Sequence, residues 1–98
     1  MQIIFRILDF DFHRAQRVEM QLLSSIRAHG IEAHVYQVLE HLEISRTGVT
    51  SLPALELNGI ILYQGVPLTE ELLDDVCLRL VTAKEKLQKN KVSQNVSD

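Results

Sequence analysis

Three side chains capable of chemistry alternate near the start of the chain, in Asp9-Phe10-Asp11-Phe12-His13. Two carboxylates and an imidazole offer the oxygen and nitrogen ligands that a divalent cation takes. In an extended chain, Asp9, Asp11 and His13 fall on one side and Phe10 and Phe12 on the other. The spacing matches no closed zinc signature, and His29, His34 and His41 are scattered through other segments. The bland reading makes Asp11 a helix cap and leaves the rest as loop surface. The two phenylalanines then close the core over the next helix, or one of them stays exposed as part of a contact surface. A second candidate is Cys77, the single cysteine. It recurs on one helical stripe with Leu73, Val76 and Leu80, which reads as an inert core thiol.

These residues need elements to position them. Gln2 to Leu8 is almost wholly apolar with Arg6 as the exception, and it reads as a strand buried on both faces. From about Phe12 to His29 the period changes. Ala15, Val18, Leu22 and Ile26 mark the buried face of an amphipathic helix that stops at Gly30. Ile31 to Gln37 reads as a second strand, parallel to the first across a right-handed crossover. Val38 to Thr47 predicts a short helix closed by Gly48. Next come Ala54–Leu57 and Ile60–Gln64, joined by Asn58-Gly59, the strongest short-range hairpin signal. Pro53 opens this hairpin, a position where a missing backbone donor is tolerated. Ile60–Gln64 is an uncharged edge strand, which leaves edge-to-edge self-association open. Thr69 caps a last helix with Glu70 and Glu71 in its first turn, where negative charge is favoured. The stripe fades past Ala83, so residues 1–83 form the domain. Residues 84–98 are a helix end, with a basic Lys84–Lys91 run, and an unstructured tail from Val92.

Composition excludes several classes of function. A chain of 98 residues, 46% hydrophobic and 23% charged, holds one ordinary globular domain. A net charge of −3 argues against nucleic acid as partner. No apolar run approaches a membrane span. The start lacks the basic region and cleavage site of a secretory signal, and one cysteine forbids an internal disulfide. The expected location is cytoplasmic.

The order β-α-β-α-β-β-α, with a proline opening the third strand, resembles the thioredoxin-like fold. This is an α/β arrangement with a four-stranded mixed sheet flanked by helices. More narrowly, the chain resembles the small glutaredoxin-like "redox-active disulfide" proteins of archaea and bacteria. The likeness rests on Gly48-Val49-Thr50-Ser51-Leu52-Pro53-Ala54-Leu55 and Asn58-Gly59, with Gly30-Ile31-Glu32-Ala33 and Thr69-Glu70-Glu71-Leu72, and covers residues 2–82. The resemblance implies that Pro53 is a cis-proline facing the loop after the first strand. It also implies a Cys-x-x-Cys at the start of the first helix, where a thiol pKa is lowered. Here that loop carries no cysteine, so the exchange chemistry, which needs an attacking and a resolving sulfur, is absent.

The resulting expectation is a redox-inactive thioredoxin-like protein, not an enzyme, that needs no cofactor. It binds another protein or itself through Asp11, Phe12, His13, Leu52 and Pro53. The groove beside such a proline takes an extended peptide by backbone pairing, which requires no thiol. Two readings stand against it: a small metal- or ligand-binding protein using Asp9, Asp11 and His13, and a residual thiol role for Cys77. A ferredoxin-like α+β arrangement is the alternative fold.

Overall fold

A computed structural model describes residues 2–97. Strand β1 (Ile4–Leu8) leads into helix α1 (Phe12–Ala28) and strand β2 (His34–Val38). Helix α2 (His41–Arg46), strands β3 (Ala54–Leu57) and β4 (Ile60–Gln64) and helix α3 (Glu70–Ser97) complete the chain. The four strands form one sheet in the order β2-β1-β3-β4. β1 pairs parallel to β2, with Phe5 opposite Val35, and antiparallel to β3, with Ile7 opposite Leu55. β3 and β4 pair antiparallel, with an irregularity between Leu55 and Glu56. The expected mixed sheet flanked by helices is therefore the observed one.

The sheet has a thick side and a thin side. Phe5, Ile7 and Leu55 pack with Ala15, Val18, Leu22 and Ile26 of α1 and Leu73, Val76 and Cys77 of α3. On the other face Leu8, Val38 and Ala54 pack with Ile44 of α2, edged by Val49 and Leu52. β1 is central, which is why its sequence is apolar on both faces. Arg6 is the exception because its guanidinium meets a buried partner on the neighbouring strand: Nη1 lies 3.1 Å from Oε1 of Glu56.

Local signals set the ends. Asp11 caps α1 by accepting from the Arg14 backbone N–H at 3.0 Å. At the other end Gly30 adopts φ +66°, and the N–H groups of Gly30 and Ile31 donate to the carbonyls of Arg27 and Ile26. Such a left-handed glycine with paired return bonds is a common way to stop a helix. It holds Ile31–Ala33 outside the ladder, so β2 starts at His34 and not at Ile31 as the sequence suggests. Asn58 and Gly59 turn the hairpin at φ +48° and +86°. Asn58 also ties the turn to β1, receiving the Ile4 N–H on Oδ1 at 2.8 Å and donating from Nδ2 to the Gln2 carbonyl at 3.0 Å.

Two boundaries differ from expectation. α2 is shorter than the Val38–Thr47 span, because Val38 completes β2. α3 runs to Ser97, past the expected end near Ala83, and residues 92–97 are helical where an unstructured tail was expected. From Lys84 to Ser97 there is neither Gly nor Pro to stop the helix, and Lys, Glu, Leu and Gln propagate it well. Asp98 lies outside the described residues. No helix among the described residues is long and apolar enough to cross a membrane.

Candidate functional site

The loop between β1 and α1 lies beside the segment that leads into β3. Its first residue, Asp9, directly follows the central strand and is completely buried. A buried carboxylate needs partners, and Asp9 has them. Arg14, one turn into α1, reaches back with Nε 2.5 Å from Oδ2 and Nη2 2.6 Å from Oδ1. The Asp11 backbone N–H adds a bond to Oδ1 at 3.1 Å. Burial by itself pushes the Asp9 carboxyl up, but these donors and the Arg14 charge more than offset it and hold it below the usual carboxylate range. The same pairing raises Arg14. Asp9 is thus a strut that fixes the start of α1.

This arrangement engages two of the three candidate metal ligands in other bonds. Both Asp9 oxygens face Arg14, Asp11 uses a carboxylate oxygen on the helix cap, and His13 lies on the exposed first turn of α1. Among the described residues, no group of three His, Cys, Asp or Glu side chains could hold a metal ion.

Cys77 sits fully buried in the main core. Burial, with the negative charge of Asp74 nearby, pushes its thiol up to about 11. A reactive cysteine needs the opposite surroundings, exposed and electropositive. The structure provides no support for a redox role through this residue.

The proposed contact surface is divided. The Leu52–Pro53 bond is cis, and the Pro53 carbonyl accepts from the Gly65 N–H at 3.0 Å. Pro53 itself is buried and Leu52 half-buried. No backbone–backbone hydrogen bond among the described residues engages the N–H or carbonyl of Leu52. Two grooves flank this segment. One, of about 440 Å³, runs between Arg14, Arg17 and Gln21 of α1, Pro53, and the β4–α3 connection at Val66 and Thr69. The other, of about 690 Å³, is lined by Phe10, His41, Leu42, Val49 and Leu52.

The phenylalanines differ from expectation. Neither closes the core: Phe10 is 50% exposed and Phe12 53%. The switch from loop to helix at Asp11 breaks their alternation. Phe10 stacks on His41, with ring centroids 3.9 Å apart and an interplanar angle of 23°. Phe12 meets His13 edge-on, with ring centroids 5.7 Å apart. Of the five expected surface residues, Leu52 and Pro53 line grooves, Asp11 caps the helix, and Phe12 and His13 are exposed on the first turn of α1, outside the lining of both grooves. The groove residues Arg14, Arg17, His41 and Leu42 were not singled out from the sequence. Nothing in the spacing brings His41 to Phe10; only the fold of α2 over the thin face does.

No curated protein matches the chain. A family model described as the thioredoxin domain matches residues 13–76, from the first turn of α1 to the second turn of α3. The matched span contains α1, β2, α2, the proline-led hairpin and the start of α3, and it exceeds half of the chain. The mixed sheet, the helix order and this match agree, and the chain belongs to the thioredoxin domain family.

Proposed function

We propose that this protein is a redox-inactive member of its family that works as a binding module. One observation carries the reading: the start of α1 bears Asp11-Phe12-His13-Arg14, while the lone thiol is buried in the core. The scaffold remains and the thiol chemistry does not. The binding surface comprises Asp11, Phe12, His13, Leu52 and Pro53, extended by Phe10. Exposed aromatics beside half-buried aliphatics, rimmed by charge, are the composition of a protein contact. The free backbone groups of Leu52 suit an extended peptide laid along that segment. The protein acts in the cytoplasm and catalyses nothing at this site.

Site-directed photo-cross-linking tests the proposal in living host cells. A photoreactive phenylalanine at position 12 is expected to give one discrete protein adduct. The same probe in a Leu52→Arg background, checked for folding, is expected to lose that adduct. No adduct at position 12, or an adduct indifferent to Leu52→Arg, would reject the surface. Insulin reduction with and without Cys77→Ala provides the catalytic control, and a Cys77-dependent activity would reject redox inactivity.

A further inference from the structure

The tip of the β3–β4 hairpin carries a reactive pair that the binding surface does not use. Of Asn58, Asn90 and Asn95, only Asn58 precedes a glycine. In an Asn-Gly pair the following backbone nitrogen can attack the side-chain amide carbon, and glycine has no Cβ to hinder the approach. Asn58 and Gly59 are both exposed, so water and base reach them.

The fold holds this pair out of the reactive geometry. Positive φ at both residues, +48° and +86°, makes the tight turn of a two-residue hairpin. Asn58 also extends the β1–β3 ladder by one step beyond the pairing of Phe5 with Leu57. Its N–H donates to the Ile4 carbonyl at 2.9 Å. An antiparallel ladder would return a bond from the Ile4 N–H to the Asn58 carbonyl. The left-handed backbone ends the strand there, and the side-chain Oδ1 takes that bond instead, at 2.8 Å. Nδ2 donates to the Gln2 carbonyl at 3.0 Å. Closing a five-membered ring from Cγ to the Gly59 nitrogen requires the Asn58–Gly59 peptide and the side-chain amide to rotate. The turn fixes the first and β1 fixes the second.

We infer that Asn58 is a modification site gated by β1: it stays an amide while the start of β1 is docked and deamidates when that segment detaches. The Gly59 nitrogen bonds to Asn58 Cγ, the Cγ–Nδ2 bond breaks, and ammonia leaves with the proton from that nitrogen. Water then opens the cyclic imide at either carbonyl, leaving aspartate or isoaspartate. Neither product carries the Nδ2 donor, and isoaspartate adds a main-chain carbon to a two-residue turn. Redocking is weakened, so a transient opening becomes a lasting one. Ile4 is the first residue of β1, and strand ends open ahead of the core. This inference is independent of the surface around Leu52.

Ageing of the full chain at mildly alkaline pH, folded and in denaturant, tests it. Peptide mapping by mass spectrometry follows amide-to-acid conversion at Asn58, and enzymatic methylation reads isoaspartate. The denatured chain is expected to react at least ~tenfold faster than the folded one. Ile4→Pro removes the N–H held by Oδ1, at a strand-opening position where proline is tolerated. It should raise the folded rate at least ~threefold while circular dichroism stays that of a folded chain. Equal rates for the folded and denatured wild type overturn the inference, and so does a folded Ile4→Pro chain that reacts at the wild-type rate. If Ile4→Pro fails to fold, the wild type in a urea series decides. A rate that rises below the unfolding transition supports gating by β1, and a rate that tracks global unfolding overturns it.

Discussion

The ion pair between Asp9 and Arg14 makes an asymmetric prediction. The Asp9 side chain is 0% exposed, while that of Arg14 is 41% exposed. Removing Arg14 strands a carboxylate that water cannot reach. Removing the charge of Asp9 frees a guanidinium that water can reach. Breaking a fully buried pair costs about 3–5 kcal/mol, and the exposure of Arg14 reduces this to roughly 2–3 kcal/mol for Arg14→Ala. Asp9→Asn keeps the shape and an acceptor for the Asp11 N–H, so about 1 kcal/mol is expected. In a domain of this size each kcal/mol moves Tm by roughly 4–8 °C. Urea denaturation at neutral pH should thus rank wild type, Asp9→Asn and Arg14→Ala in falling order of stability. The pH dependence follows with its sign. The folded Asp9 pKa is depressed, so its contribution is complete above the unfolded value of about 3.9. It is lost as pH falls through the folded one. In Arg14→Ala, burial acts without its main offset and Asp9 takes up a proton at higher pH. The gap between wild type and Arg14→Ala should therefore shrink as the solution is acidified. Equal costs for the two variants, or a gap that widens in acid, would refute the reasoning.

Other perturbations follow from the fold. Gly65→Ala should destabilise by more than ~1–2 kcal/mol, because φ is +72° and a Cβ would lie 2.7 Å from that of Ser51; thermal unfolding reads this directly. Thr69→Ala should cost about 1 kcal/mol, since the hydroxyl receives the Leu72 N–H at 3.2 Å as helix cap, measured by denaturant midpoint. Asn58→Gly should cost less than Asn58→Ala, because both lose the ties to β1 but only alanine is strained at φ +48°.

The sequence was most informative where a backbone requirement coincided with a residue type. Pro53 and Asn58-Gly59 bracket β3 and open β4, and both strands fall at the residues read from the pattern. The core face of α1 was legible for the same reason, as Ala15, Val18, Leu22 and Ile26 are all buried. What escaped was whatever depends on a junction between elements. Asp9 and Arg14 are five residues apart across a strand–helix boundary, outside the three- and four-residue spacings that mark helix neighbours. Asp9 therefore reads from the sequence as loop surface, or as a metal ligand in the alternative reading, when it is a buried strut. Phe10 and His41 meet because α2 folds over the thin face of the sheet, which no local period encodes. The apolar stripe marks the buried face of α3 and not the helix itself, which continues beyond it on Lys, Glu, Leu and Gln.

We propose a thioredoxin fold without thiol chemistry, and native-state reaction of Cys77 tests that most directly. The chain is exposed to excess oxidised glutathione and to a thiol-alkylating reagent, folded and in denaturant, and adducts are counted by mass spectrometry. A thiol buried at 0% exposure and pushed to about 11 should remain unmodified in the folded chain and react only on unfolding. Modification of the folded chain at a rate comparable to that in denaturant would contradict the account.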